Sequence, residues 1–363
     1  MASPRDALER ARRVVVKIGS RTLAGGGDVF HSLAGAVTER RGTSFVVVSS
    51  GAIALGMKKL GYRTRPKEMA KLQAAAAAGQ SLLMRAYEEA FDARGVAVAQ
   101  VLLTHADLAD RTRANNARAA LGALLDAGAV PVLNENDSVA VDEIRFGDND
   151  QLAAMVAPLV DAELVVLLSD VEGLLDGEGR RIPIVRDVVR DALPHVRRST
   201  SAVGTGGMAS KIEAARRATL AGANVVVADA RVPGILESVL SGHDVGTLFV
   251  ASTERLSAKK YWIAFTLRPR GEMVLDRGAV EAVRAKGKSV LSVGVLGIRG
   301  GFRAGDAVRI VDAEGTEIAR GLARCGAAEA AIACGKTRDD LPEALMDLAV
   351  LVHADDLVVG VHG

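Results

Sequence analysis

Residues 45–56 read FVVVSSGAIALG. Four apolar residues run without a polar break, and three of them are valines. A strand of that kind is buried on both faces, which is the habit of parallel sheets. Ser49, Ser50 and Gly51 close the strand, and a helical pattern follows at once. The same figure recurs at Val14–Ile18, Val96–Leu103, Val130–Leu133, Leu164–Leu168 and Asn224–Ala228, with helical patterns such as Lys67–Ala93 and Asn115–Ala127 between them. Alternating strands and helices predict an α/β fold around a mainly parallel sheet covered on both sides. The alanine run Ala74–Ala78 suits a helix packed close against a neighbour.

The pattern changes near residue 252. STERLSAKKYWIAFTLRPRG is polar and basic and reads as a connector. Short strands with glycine turns follow, as in GEMVLD, SVLSVGVLGIRG and LVHADDLVVG, and predict a small β-rich module with little helix. The expected division is a first domain over 8–252, a linker over 253–268 and a second domain over 269–363. A chain of 363 residues fits two domains.

Composition narrows the function. Aromatics are only 3%, so the core must be Val, Leu, Ile and Ala. A net charge of +2 gives no electrostatic case for nucleic acid or an anionic membrane. Two cysteines exclude a disulfide framework or a four-cysteine metal site. The start, MASPRDALERARR, lacks the apolar core of a signal peptide, and no stretch reaches the roughly 18 apolar residues of a membrane span. A soluble, cytoplasmic protein is expected. The six histidines are scattered without metal spacing.

The chemistry-bearing motifs lie at the strand ends. Val203–Lys211 reads VGTGGMASK, ahead of the helical segment KIEAARRATLAGA. A loop stripped of side chains before a helix offers backbone N–H groups to phosphate, and Lys211 adds a charge. A Walker-type loop is ruled out, because Ser210 precedes Lys211. A dinucleotide fingerprint has the spacing of Gly204, Gly206 and Ala209, with Asp229 beyond, but PHVRRSTSAV is too polar to be its feeding strand. A loop that binds nothing is the plain alternative. VVVKIGS, residues 14–20, ends a strand in Lys17 and Gly19. Lysine and glycine also close many strands for solubility and turning. Ser49 and Ser50 either cap a helix or bind an anion at the carboxyl end of the sheet. VPVLNENDSVAVDEIRFGDNDQLAA crowds carboxylates and amides after a strand. Its spacing is wrong for a calcium loop. It is either a solvated acidic loop or a site for an amino group, Mg²⁺ or lysines. Ser169–Asp170 ends another strand before Gly173, as a nucleotide edge or a plain turn.

In their order and spacing VVVKIGS, VVSSGAIALG, AGQSLL, LLTHADLADR, NARAAL, VPVLNENDSVA, FGDNDQLAA, SDVEGL and GTGGMASK resemble the amino acid kinase family over nearly the whole chain, and its glutamate kinases in particular. The segment from GEMVLDRGAVEAVRAKGKSVL to VHADDLVVG resembles a PUA domain. The resemblance implies a three-layer α/β/α sandwich, then a small PUA-like β-barrel. It implies ATP-dependent phosphorylation of the γ-carboxylate of L-glutamate, with Mg²⁺ accompanying ATP. Lys17 and Lys211 would hold the transferring phosphoryl group, and Asp150 would orient them. Ser50, Gly51, Asn134, Asp137, Asp148 and Asn149 would bind glutamate. Lys17, Gly19, Ser169, Asp170, Thr205, Gly206, Gly207, Met208 and Lys211 would bind ATP. No metal ligand is assigned. L-proline as a feedback inhibitor, a homo-oligomer (dimer or tetramer) and transient contact with the glutamyl phosphate reductase are further implications. Nucleic acid is not expected as a partner: residues 269–363 hold 12 Lys and Arg against 14 Asp and Glu, and their one Phe, Tyr or Trp is Phe302. The rival readings are a kinase of the same fold acting on another small acid and a catalytically silent regulator binding nucleotide or RNA. Two departures stand out. Leu175 occupies a place where relatives often carry Tyr, and Leu23–Ser44 is short.

Overall fold

Period-two alternation along β1 (Arg13–Ile18) sets the layers of the first unit. Val14, Val16 and Ile18 enter one apolar cluster with Phe30 and Leu33 of the helix Gly27–Glu39 and with Leu83, Tyr87 and Phe91 of the helix Met69–Asp92. Val15 enters a second cluster with Leu152 and Met155 of the helix Asn149–Val156 and with Ile212 and Ala215 of the helix Met208–Leu220. The strand is therefore sandwiched between helices on both faces. Lys17 falls on the second face by the same alternation.

The computed structural model describes residues 3–23, 27–139, 149–196 and 207–360. Two units divide at Arg255 and Leu256. The first holds an eight-stranded sheet in the order β3-β4-β2-β1-β5-β7-β8-β6. Its members are β1, β2 (Ser44–Ser49), β3 (Val98–Leu103), β4 (Val130–Glu135), β5 (Leu164–Ser169), β6 (Ile184–Val185), β7 (Asn224–Asp229) and β8 (Thr247–Phe249). All six predicted strands are present and pair in parallel. The two short strands at one end of the sheet, β8 and the edge strand β6, carry no such sequence pattern. β8 runs antiparallel to β7, and β6 pairs parallel with β8, so the sheet is mixed at one edge. Thr247 pins that edge: its Oγ1 donates to the Ile182 carbonyl (2.7 Å) and accepts from the Leu174 N–H (2.8 Å).

The alanine-rich helix meets the helix Ala52–Lys59 at very short range. A Cβ on Gly56 would lie 1.7 Å from the Ala75 carbonyl oxygen, and one on Gly79 would lie 1.8 Å from that of Ala52. Only glycine lets the two backbones touch.

The second unit has its own core around Met273, Val308, Ile310 and Leu351. Its main sheet has the order β11-β9-β12-β13-β15, with β9 (Gly271–Leu275), β11 (Val295–Gly300), β12 (Ala307–Val311), β13 (Glu317–Leu322) and β15 (Leu357–Val359). A two-stranded ladder joins β10 (Val290–Leu291) to β14 (Val350–Val352). Helix is more frequent than the sequence reading allowed. Arg277–Lys286 is helical, capped by Asp276, which accepts from the Ala279 N–H (2.7 Å), and stopped by Gly287 at φ +55°. The segment read as a linker is also not a free connector. Ala258–Tyr261 and Trp262–Thr266 are helical turns assigned to the second unit, and the Ala264 carbonyl accepts from Arg320 (3.0 Å).

Candidate active site

Register brings the site together at the carboxyl ends of the central strands. Lys17 pairs with Val48 on β2 and Leu167 on β5, so Ser49, Ser50 and Ser169 lie one to two residues further on. The helix Asn149–Val156 starts beside them and presents Asp150 in its first turn. The helix Met208–Leu220 presents Lys211 from the same side of the sheet.

Asp150 sits between the two lysines. Lys17 Nζ is 2.7 Å from Asp150 Oδ1, and Lys211 Nζ is 2.9 Å from Oδ2. All three are buried, with relative exposures of 8%, 7% and 2% for Lys17, Lys211 and Asp150. Burial pushes the Asp150 carboxyl up, but the charges of Lys17 and Lys211 outweigh burial and hold it below the usual carboxylate range. Two ammonium groups against one carboxylate leave one net positive charge in a dry place, which suits an anion. Gln151 ties the two helices together, since its Nε2 donates to the Ser210 carbonyl (3.0 Å).

A polar network runs away from this triad. The two N–H groups of Asn149 Nδ2 share three acceptors, the Ser49 carbonyl (2.8 Å), Ser50 Oγ (2.9 Å) and Asn134 Oδ1 (3.0 Å). Asn134 Nδ2 donates to Gln80 Oε1 (2.9 Å). Behind it, buried Tyr87 donates to Ser49 Oγ (2.9 Å), and burial pushes its phenol well up. Gly51 starts the helix Ala52–Lys59 at φ +106°, a conformation that favours glycine.

The predicted residues divide into three groups. Lys17, Asp150 and Lys211 meet directly, and Ser50, Asn134 and Asn149 form one hydrogen-bonded cluster with the Gly51 turn beside it. A second group sits at the rim. Gly19 is bare beside the triad: a Cβ there would lie 3.9 Å from Lys17 Nζ. Asp137 is half-buried in the turn after β4. Ser169 Oγ donates to Asp170 Oδ1 (3.2 Å), while Asp170 ion-pairs with Arg21. Asp170 is held below the usual carboxylate range: burial opposes this, and hydrogen bonds from Arg21 and Ser169 prevail. Gly207 caps the helix that begins at Met208. The third group, Asp148, Thr205 and Gly206, lies outside the described residues. Leu175 is exposed and forms a lone bridge with Arg181. Asp229, the acid of the dinucleotide alternative, is taken by Arg231 (2.6 Å).

The sequence reading did not single out Gln80 or Gln151. Gln80 had a signal: it lies on the buried stripe Leu72, Ala76, Gly79, Leu83 and Tyr87, where a polar residue needs a reason.

Comparison with known proteins shows the family. Residues 12–229 match the amino acid kinase family, and residues 271–344 match the PUA domain. Glutamate 5-kinase of Myxococcus xanthus is 47% identical, over 99% of both chains. Those of Trichlorobacter lovleyi and Chromohalobacter salexigens are 43% and 45% identical, over 99% of this chain and 99% and 98% of theirs. In fold, the chain resembles a Giardia carbamate kinase at a TM-score of 0.50 and 15% identity, covering 66% of this chain and 99% of that one.

Proposed function

The chain belongs to the amino acid kinase family, and from that premise we propose that it moves the γ-phosphoryl group of ATP onto the γ-carboxylate of L-glutamate, the first step of proline biosynthesis. The observation that carries the mechanism is the buried Lys17–Asp150–Lys211 triad.

The nucleophile is a carboxylate with an ordinary pKa of about 4.3, already ionised at neutral pH. It needs no general base, and the described site contains no histidine. The obstacle is bringing one anion onto a polyanion. Lys17 and Lys211 meet it with charge fixed in advance by Asp150, so little reorganisation is left for the moment of transfer. Gly207 caps the helix Met208–Leu220 without a side chain of its own, and a helix N-terminus of that kind suits phosphate oxygens. Thr205, Gly206, Met208, Ser169 and Asp170 complete the ATP side. Ser50, Gly51, Asn134, Asp148 and Asn149 hold the polar groups of glutamate, and Asp137 accepts from its ammonium group.

Among the described residues no group of three or more His, Cys, Asp or Glu could hold a metal ion. Asp150 is already engaged by two lysines. In this reading Mg²⁺ accompanies ATP as part of the substrate. Among those residues no helix is long and apolar enough to cross a membrane. The reading extends to a cytoplasmic homo-oligomer inhibited by L-proline at the Asn134–Asp150 loop. Its acyl phosphate product is labile in water, which favours prompt consumption by the glutamyl phosphate reductase.

The test is ADP release from Mg·ATP with L-glutamate, L-aspartate or no acceptor, with and without L-proline. Glutamate-dependent turnover suppressed by proline is expected. Turnover with aspartate alone overturns the substrate. Lys211→Ala should lower kcat about 10²–10³-fold, the effect of removing one preorganised donor. Unchanged kcat in the folded variant overturns the role of the triad.

A further inference from the structure

We propose that Gln80 is a positioning residue for the glutamate site, acting through Asn134 on Asn149. The inference rests on the reading of Asn149 and Ser50 as glutamate contacts. Gln80 projects from the helix Met69–Asp92 and is 9% exposed.

The argument turns on which end of each amide faces which neighbour. Asn134 Oδ1 accepts from the Glu135 backbone N–H (2.9 Å) as well as from Asn149 Nδ2. A backbone N–H can only donate, so it fixes the carbonyl end of Asn134 in place. At the other end of the row, the Ser49 carbonyl can only accept, so Asn149 must offer it an N–H. Two backbone groups thereby set the direction of the row. Asn134 is left with its NH₂ pointing at position 80, and that position must supply an acceptor. Gln80 Oε1 does so.

The other end of Gln80 shows that this acceptor is what matters. Its Nε2 is buried and has no hydrogen-bond partner among the described residues. A buried donor without a partner costs stability, and a hydrocarbon side chain would avoid the cost. Without the acceptor, the NH₂ of Asn134 goes unmet and its side chain can turn. Asn149, whose two N–H groups share three acceptors, then loses Asn134 Oδ1 and can turn toward Ser49 and Ser50 alone. Held as it is, Asn149 turns Oδ1 out of this row, where it meets no hydrogen-bond donor among the described residues and can accept from the substrate.

The experiment is steady-state kinetics for glutamate and for ATP on five variants. These are Gln80→Met, Gln80→Glu, Asn134→Ala, the double variant Gln80→Met with Asn134→Ala, and Asn149→Ala. Gln80→Met, similar in volume but lacking the acceptor, should raise the glutamate KM roughly tenfold, with kcat and the ATP KM within about twofold. The double variant should be no worse than Asn134→Ala alone, because both act through one contact. Gln80→Glu keeps an acceptor and should stay within about threefold of the parent KM. A normal glutamate KM in Gln80→Met, or effects that multiply in the double variant, overturns the proposal. Asn149→Ala separates the two failures. If it raises the glutamate KM while Gln80→Met does not, only the role of Gln80 falls. If it leaves that KM unchanged, the reading of Asn149 falls and the proposal with it. Should Gln80→Met fail to fold, Gln80→Leu is read in its place by the same criteria, and a raised KM in Gln80→Glu that matches Asn134→Ala overturns the proposal.

Discussion

At Asp150 one carboxylate sets the position of two buried lysines, so its loss should be felt in stability as well as rate. Asp150→Asn leaves two buried ammonium groups without a counter-charge, a change that costs about 3–5 kcal/mol when a buried pair is broken. The sign of the pH dependence follows from its lowered pKa. A carboxyl held lower in the folded state contributes fully above its unfolded value of about 3.9, and the contribution is lost only as pH falls through the folded value. Urea unfolding of parent and Asp150→Asn should therefore show the same loss of stability at pH 8 and at pH 5. A loss seen at pH 8 and absent at pH 5 would mean that this carboxyl titrates near neutrality. The two lysines were legible in the sequence because each stands beside a glycine-bearing turn. From residue pattern alone, nothing assigned Asp150 to them: it lies 61 residues from Lys211, in a loop crowded with other carboxylates. Only the family resemblance singled it out, and only the fold brings the three side chains within ion-pair distance.

Among the elements, two helical glycines make opposite predictions. Gly79 sits where the helices Ala52–Lys59 and Met69–Asp92 touch, and a methyl there would overlap the Ala52 carbonyl. Gly79→Ala should cost about 3 kcal/mol, the upper part of the range for overpacking, and lower Tm by roughly 6–12 °C. Gly122 lies in the helix Arg111–Asp126 with no positive φ, and a methyl added there would meet nothing within 4 Å. Gly122→Ala should stabilise by about 0.5–1 kcal/mol, because alanine loses less backbone freedom on folding. Thermal melts of both variants check the pair, and equal shifts would contradict the packing described. The alanine run announced this close contact in the sequence, since small residues have little other use in succession on a helix. Strands at the sheet centre were equally plain, being continuous and apolar. The short strands β8 and β6 at one end of the sheet were not, because they are three and two residues long and are placed by pairing on β7 and by Thr247, not by a pattern of their own.

For the molecule as a whole, the second unit poses the remaining question of partners. Its helix Arg277–Lys286 was legible in principle, with Asp276 before it and Gly287 after it, but glycine-punctuated strands on either side masked the signal. Its fold matches the PUA domain, and folds do not fix function. The surface chemistry decides more. The unit, residues 256–363, carries a net charge of only +1, from 15 basic and 14 acidic residues. An RNA-binding surface needs phosphate-neutralising cations and flat side chains on which bases stack. Of its four Phe, Tyr and Trp residues, Tyr261, Phe265 and Phe302 are buried and Trp262 is half-buried. A balance of one cation and the lack of a fully exposed ring fall short of both requirements. The full chain should therefore retain no more total RNA on a filter at low salt than an acidic control protein does, and addition of RNA should leave glutamate-dependent ADP release unchanged. Low salt is the demanding condition, because it strengthens every phosphate contact. Retention above the control that disappears as salt is raised would show a phosphate-binding surface that the charge balance conceals.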